Sequence, residues 1–101
     1  MQETDAGEVT VADNPAEGRY EARLGERVVG IAEYELDEDR IVFVHTEVDE
    51  TVEGKGIGSA LVRGALDDAR SRDLAVNVEC PFITSWIRRH PEYGPARRRA
   101  G

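Results

Sequence analysis

The sequence predicts a mixed α/β (α+β) domain, a mainly antiparallel sheet with two helices, and two observations carry that reading. Between Arg19 and Val48, polar and apolar residues alternate in three runs separated by short turns, the period of half-buried strands. From Ile57 onward the apolar residues recur at helical spacing instead, and a further short strand-like run and a second helical pattern follow. A chain of 101 residues is long enough for one such domain and one modest core.

Residues 1–18 are polar and acidic, with Asn14-Pro15 as a turn signal. Val9, Thr10 and Val11 either add a short strand or belong to a partly disordered segment. Arg19 to Leu24 places Tyr20, Ala22 and Leu24 on one face and Arg19, Glu21 and Arg23 on the other. Gly25-Glu26 then supplies a two-residue hairpin turn with glycine first, and Arg27 to Leu36 is the return strand. After the turn Asp37-Glu38-Asp39, Arg40 to Val48 is a third strand. Simple alternation puts Val42, Val44, Thr46 and Val48 on one of its faces and Ile41, Phe43, His45 and Glu47 on the other.

Ile57, Gly58, Leu61, Val62, Ala65, Leu66 and Ala69 form a wide apolar stripe, which predicts a helix from about Gly56 to Arg72. Arg63 and Asp67 stand four apart on its polar face. Leu74 to Glu79 is a fourth strand, so that the helix is a crossover between neighbouring strands. Cys80-Pro81 opens a second helix, proline being suited to a first turn. Ile83, Trp86, Ile87 and His90 share one of its faces, and Pro91 stops it. The minimal domain is therefore expected at residues 19–94, between an acidic segment, 1–18, and a basic tail, 95–101.

Composition narrows the function. A formal charge of −8 argues against nucleic acid and against anionic membranes as partners, and no apolar run approaches the length of a membrane span. The single cysteine, Cys80, excludes a disulfide within the chain and fits a reducing compartment. With no basic-then-apolar leader, the expected location is the cytoplasm. Two distant histidines and one cysteine make no recognisable metal site, and Ser59 has no evident His/Asp partners for a hydrolytic triad.

The stretch Glu53-Gly54-Lys55-Gly56-Ile57-Gly58-Ser59, between a strand and a helix, carries the strongest chemical signal. Glycines let the backbone approach a bulky anion, and the first turn of a helix offers free N–H groups and the positive end of its dipole. Together they suit a phosphate or pyrophosphate. A P-loop fails because Lys55 is misplaced. A dinucleotide fingerprint places Ser59 or Leu61 where its third glycine belongs. Glu79 does stand at the right distance for a ribose contact, but an antiparallel meander precedes the loop and too little chain follows for a doubly wound sheet.

A third reading is coenzyme A. Meander, bulged strand, glycine loop, helix and strand is an order that resembles the core of the GNAT acetyltransferases, whose pyrophosphate loop reads Arg/Gln-x-x-Gly-x-Gly/Ala. Glu53, Gly56 and Gly58 occupy those positions, Glu53 being the departure. The strings His45-Thr46-Glu47-Val48, Glu53 to Ser59, Cys80-Pro81-Phe82 and His90-Pro91-Glu92-Tyr93 occur in one order. That combination resembles a group of small GNAT-like proteins, the YjdJ-type or N-acetyltransferase domain-containing protein 1-like group, from about Arg19 to Tyr93.

The resemblance implies an acyltransferase that binds acetyl-CoA and acetylates a small amine or an exposed protein lysine. The alternative is a non-catalytic acyl-CoA-binding or protein-interaction module on the same scaffold. The resemblance also implies that Glu53, Gly54 and the backbone amides from Lys55 through Gly56, Ile57, Gly58 and Ser59 hold the pyrophosphate. It likewise implies that the backbone from Thr46 to Val48 would meet the thioester and its pantetheine arm. The larger enzymes shape the acceptor site with extra N-terminal helices; here that site is either open or completed by a second subunit, a homodimer.

Acetyl transfer needs a neutral amine, a polarised carbonyl and a protonated leaving thiolate. Cys80, between the fourth strand and a helix N-terminus, is a candidate nucleophile or acid, its alternative being a small buried space-filler. Glu47 is the preferred base candidate. His45 is a second one, although a packed histidine is favoured for it. Glu79 and Tyr93 are weaker candidates, while His90 is expected at its helix C-terminal dipole and Trp86 in the core.

Overall fold

The computed structural model describes residues 9–52 and 56–93. Five strands form one sheet in sequence order: β1 (Val9–Asn14), β2 (Arg19–Leu24), β3 (Arg27–Asp37), β4 (Arg40–Val48) and β5 (Ala75–Val78). The first four run antiparallel, each to the next, and β5 pairs parallel with β4. Parallel neighbours need a long crossover, which α1 (Ile57–Ser71) supplies before α2 (Pro81–Arg89) follows β5. The strand reading of Val9 to Val11 is the one realised, since Val9 pairs with Leu24 and Val11 with Ala22. The sheet thus begins ahead of Arg19.

The β2–β3 and β3–β4 turns each contain two residues. Leu24 pairs with Arg27 around Gly25-Glu26, where Gly25 has φ 62°, and Asp37 pairs with Arg40 around Glu38-Asp39. The alternation expected along β4 breaks at Val44. Phe43 lies opposite Tyr34 and His45 opposite Glu33, leaving Val44 as the extra residue of a bulge. A bulge inverts the side-chain phase beyond it. Ile41 and Phe43 therefore share the core face with Thr46 and Val48, and His45 and Glu47 turn to the opposite face. That corrects the grouping of Ile41, Phe43, His45 and Glu47 on one face.

The stripe on α1 buries Ile57, Leu61, Val62, Ala65, Leu66 and Ala69 against the sheet. Tyr20, Tyr34 and Phe43 meet them, with ring centroids 5.5 to 6.3 Å apart. Two glycines permit the close approach. A Cβ on Gly64 would stand 2.8 Å from Val11 Cγ1, and one on Gly30 would touch Leu61 and Ile57. The tyrosine hydroxyls at this core's edge join a polar network that ties β1 to the end of α1. Tyr34 Oη donates to Asp13 (2.5 Å), Tyr20 Oη donates to Asp68 (2.6 Å), and Arg72 Nη2 donates to both carboxylates at 2.6 Å. Burial, aided by the Asp13 bond, pushes Tyr34 up to about 12, and burial with the Asp68 bond raises Tyr20 further.

Candidate functional site

The site begins where β4 and β5 part. Their ladder covers only Arg40↔Ala75 to Phe43↔Val78, and a last bond runs from Glu79 N–H to Phe43 C=O at 2.8 Å. β4 continues beside β3 to Val48, so its other edge is left without a strand from Val44 onward. Glu47 and His45 sit opposite Ile31 and Glu33, and Asp49 N–H donates to Val29 C=O at 2.8 Å. In an antiparallel ladder the hydrogen-bonded residues alternate with residues whose main-chain groups face away. The N–H and C=O groups of Thr46 and Val48 therefore face the open edge, available to an extended ligand that takes the place of a strand.

At the far end of that edge the chain turns into α1. Asp49 accepts from Thr51 N–H (2.9 Å), from Thr51 Oγ1 (2.8 Å) and from Arg27 (2.5 Å), which fixes the exit from β4. Glu53, Gly54 and Lys55 lie outside the described residues. Gly56 caps α1 in the left-handed region, with φ 78° and ψ 13°, and no side chain caps the helix. The early N–H groups of α1, including those of Ile57, Gly58 and Ser59, have no intrahelical acceptor. Ile57, Gly58 and Ser59 line an open pocket of about 390 Å³ together with Gly56, Val48, Val52 and Phe82. A Cβ at Gly56 would meet nothing within 4 Å, whereas one at Gly58 would strike the Phe82 ring at 2.8 Å. The pocket thus combines amide donors and a helix dipole on one wall with apolar side chains on the other, which suits an anionic group carried on a less polar arm.

The structure brings Cys80 to the same edge. Its Sγ lies 3.3 Å from Thr46 Oγ1, across the gap between the strands, and Cys80 is the N-cap of α2 with Pro81 in the first turn. It is 2% exposed, so solvent reaches the thiol only when Thr46 or its surroundings move. His45 and Glu47 stand together on the other face of the sheet, where His45 Nε2 donates to Glu47 Oε2 at 2.8 Å. Their side chains are 51% and 67% exposed, which corrects the expectation of a packed His45 and takes away the partly buried cleft expected beside Glu47. Glu47 also borders a depression of about 240 Å³ with Val28 to Ile31, Val48 and Asp49. Candidate base and thiol are therefore separated by the plane of β4.

His90 behaves as expected at a helix end, with Nδ1 donating to Trp86 C=O at 2.9 Å. Tyr93 packs rather than facing the gap: it meets the Trp86 ring edge-on at 5.1 Å, under the guanidinium groups of Arg63 and Arg70. Glu79 is exposed at the strand end. The sequence reading missed the bond from Trp86 Nε1 to Ser59 Oγ (2.9 Å), which ties α2 to the first turn of α1. An indole at helical spacing reads as core, and its N–H partner lies 27 residues away. No group of acidic, histidine or cysteine side chains among the described residues is placed to hold a metal, and no described helix is long and apolar enough to cross a membrane.

Comparison with known proteins agrees with this geometry. Residues 19–96 match the family model described as GCN5-related N-acetyl-transferase. The curated relatives include Protein NATD1 of Bos taurus, 37% identical over 59 residues, which cover 57% of this chain and 52% of that protein. Protein NATD1 of Homo sapiens is 36% identical, with coverage of 57% and 52%, and that of Gallus gallus is 36% identical, with 57% and 54%. The chain spans about half the length of these relatives. The family match, the mixed five-stranded sheet and the glycine-capped crossover helix together assign the chain to the GCN5-related N-acetyltransferase family.

Proposed function

We propose that the protein is an acetyl-CoA-dependent N-acetyltransferase whose acceptor is a small amine or an exposed lysine. The observation that carries this reading is the parting of β4 from β5 after Phe43 and Val78, with the bare N-terminal turn of α1 at the end of the gap. The amides of Ile57, Gly58 and Ser59 are suited to the pyrophosphate, and the edge groups of Thr46 and Val48 to the amide-bearing pantetheine arm. Glu53, Gly54 and Lys55 would complete the phosphate loop, and the cytoplasm is the proposed location.

Acetyl-CoA supplies an activated acetyl group as a thioester. Glu47, with His45 bonded to its carboxylate, takes a proton from the ammonium of the acceptor, directly or through water, leaving a neutral amine. The amine nitrogen forms a bond to the acetyl carbon and gives up its second proton to water, and the carbon–sulfur bond breaks. Cys80, beside Thr46 on the opposite side of β4, would return a proton to the departing thiolate and regain one from water. With Glu47 on one side of the open edge and Cys80 on the other, acceptor and thioester approach from different faces of the sheet.

The test is release of free thiol from acetyl-CoA, with a polyamine and a lysine-containing peptide as acceptors. The reading predicts thiol release that depends on the amine and falls roughly 10²-fold or more in Glu47→Gln. Binding of acetyl-CoA with no thiol release from any acceptor would favour the alternative, a binding module on the same scaffold.

A further inference from the structure

We propose that Arg63, held between Trp86 and Tyr93, is a phosphomonoester-binding residue that selects coenzyme A over its form lacking the 3′-phosphate. This rests on the acyl-CoA reading above and adds to it a second anion site and a basis for ligand choice.

Three contacts locate the Arg63 guanidinium. Its carbon lies 5.4 Å from the centroid of the Trp86 ring and 5.5 Å from that of Tyr93, and Nη1 donates to Tyr93 Oη at 3.4 Å. The same Trp86 ring donates its N–H to Ser59 Oγ at 2.9 Å, so one indole spans from the first turn of α1 to the Arg63 head group. The direction of the side chain agrees. Helical side chains lean toward the N-terminus, over the residues three and four positions before them, and for Arg63 those are Ala60 and Ser59. The rise between Ser59 and Arg63 is about 6 Å, a span that a ribose can bridge between a pyrophosphate at the helix terminus and a phosphate at its 3′ position.

Arg63 is also prepared for such a ligand. Two aromatic rings restrict its rotamers, so that less entropy is lost when a phosphate binds. None of the ion pairs among the described residues engages it, so its planar donors can meet an incoming anion. Arg70, two turns further along α1, lies 5.0 Å over the other reach of Tyr93 and donates to Glu92 C=O at 3.5 Å. That contact clamps the Pro91–Tyr93 turn and keeps Tyr93 under Arg63. A purely structural role for Arg63, pinning α2 to α1, would affect folding and not the choice between two ligands.

The experiment measures dissociation constants of coenzyme A and 3′-dephospho-coenzyme A by calorimetry, for the wild-type chain and for Arg63→Gln. The wild-type protein should prefer coenzyme A by about 5- to 10-fold, as an exposed charge-assisted contact allows. Arg63→Gln should bring the two ligands to equal affinity while leaving that of the dephospho form unchanged. Arg63→Lys, which keeps the charge but not the planar stack, should retain part of the preference and guards against a glutamine variant that folds poorly. Equal wild-type affinities, or a preference that survives in Arg63→Gln, would overturn the proposal. Failure of the wild-type chain to bind either compound would overturn the acyl-CoA reading beneath it.

Discussion

Replacing Gly56 with leucine separates the backbone demands of the fold from those of the ligand, because the protein contains a matched control. Gly56 and Gly25 have φ values of 78° and 62°, and a Cβ at either meets nothing within 4 Å. Gly25 lies in the β2–β3 turn and contributes nothing to the pocket, whereas Gly56 is part of its wall. Forcing a side chain into the left-handed region costs about 1–2 kcal/mol. Each single variant should therefore melt lower by similar amounts, roughly 4–8 °C per kcal/mol for a domain of this size. Their ligand affinities should differ sharply. A leucine at position 56 intrudes on the space beside the free amides, and a lost charge-assisted hydrogen bond costs about 1.5–3 kcal/mol, or roughly 10- to 150-fold in affinity. Calorimetric titration with coenzyme A should show that loss in Gly56→Leu and wild-type affinity in Gly25→Leu. Unchanged affinity in a folded Gly56→Leu protein would remove the α1 terminus from the site, and equal losses in both variants would show that strain alone lowers binding.

Other consequences concern stability. The Glu21 carboxylate accepts from Arg23, Asn14 and Arg19 at 2.9 to 3.0 Å, bonds that outweigh its burial and hold it at about 2. Its folded value lies below the ordinary 4.5, so its contribution is complete above that value and is lost as pH falls from about 4.5 toward 2. The side chains of its partners Arg19 and Arg23 are 27% and 42% exposed, so solvent screening discounts that loss to about 2 kcal/mol; Glu21→Gln should melt lower at pH 7 and show a flatter acid limb, and an unchanged limb would remove Glu21 from the account. Tyr34 acts in the opposite direction: raised to about 12 from 10.0, it adds stability that is full below pH 10 and lost as pH rises toward 12, and Tyr34→Phe should blunt that alkaline decline. Gly64→Ala sets a methyl against Val11 Cγ1 at 2.8 Å and Cβ at 2.9 Å; overpacking of about 1–3 kcal/mol should exceed the gain in helix propensity, about 1 kcal/mol, and Val11→Gly in the same chain, which removes both atoms, should relieve the clash, so additive effects would count against this packing.

Much of the fold was legible because periodicity survives in single letters. The stripe from Ile57 to Ala69 could only face a core, and it predicted α1 to within a residue at each end. The turns read at Gly25-Glu26 and at Asp37-Glu38-Asp39 located both hairpins, although Asp37 itself pairs with Arg40. The bulge at Val44 was not legible in the alternation. Ile41 to Val44 is apolar on both phases, so nothing in that run says where the pattern slips, and the faces of His45 and Glu47 follow from the slip. Glu21 reads as part of a solvated polar face beside Arg19 and Arg23. It is 4% exposed because those same residues and Asn14 close over it. Within the proposed site, the glycines suggested an anion-binding turn, while the links from Ser59 to Trp86 and from Trp86 to Arg63 depend on how α2 packs against α1, which no spacing encodes.

The central claim is that the gap beside β4 and the bare terminus of α1 together receive acetyl-CoA, and thermal melting with and without that compound tests it most directly. At a concentration of a hundred times the dissociation constant, binding should stabilise the fold by about 2.7 kcal/mol. For a domain of this length that is a rise on the order of 10–20 °C in Tm, with NAD at the same concentration leaving the melt unchanged. A flat response to acetyl-CoA, or an equal rise with NAD, would contradict the account.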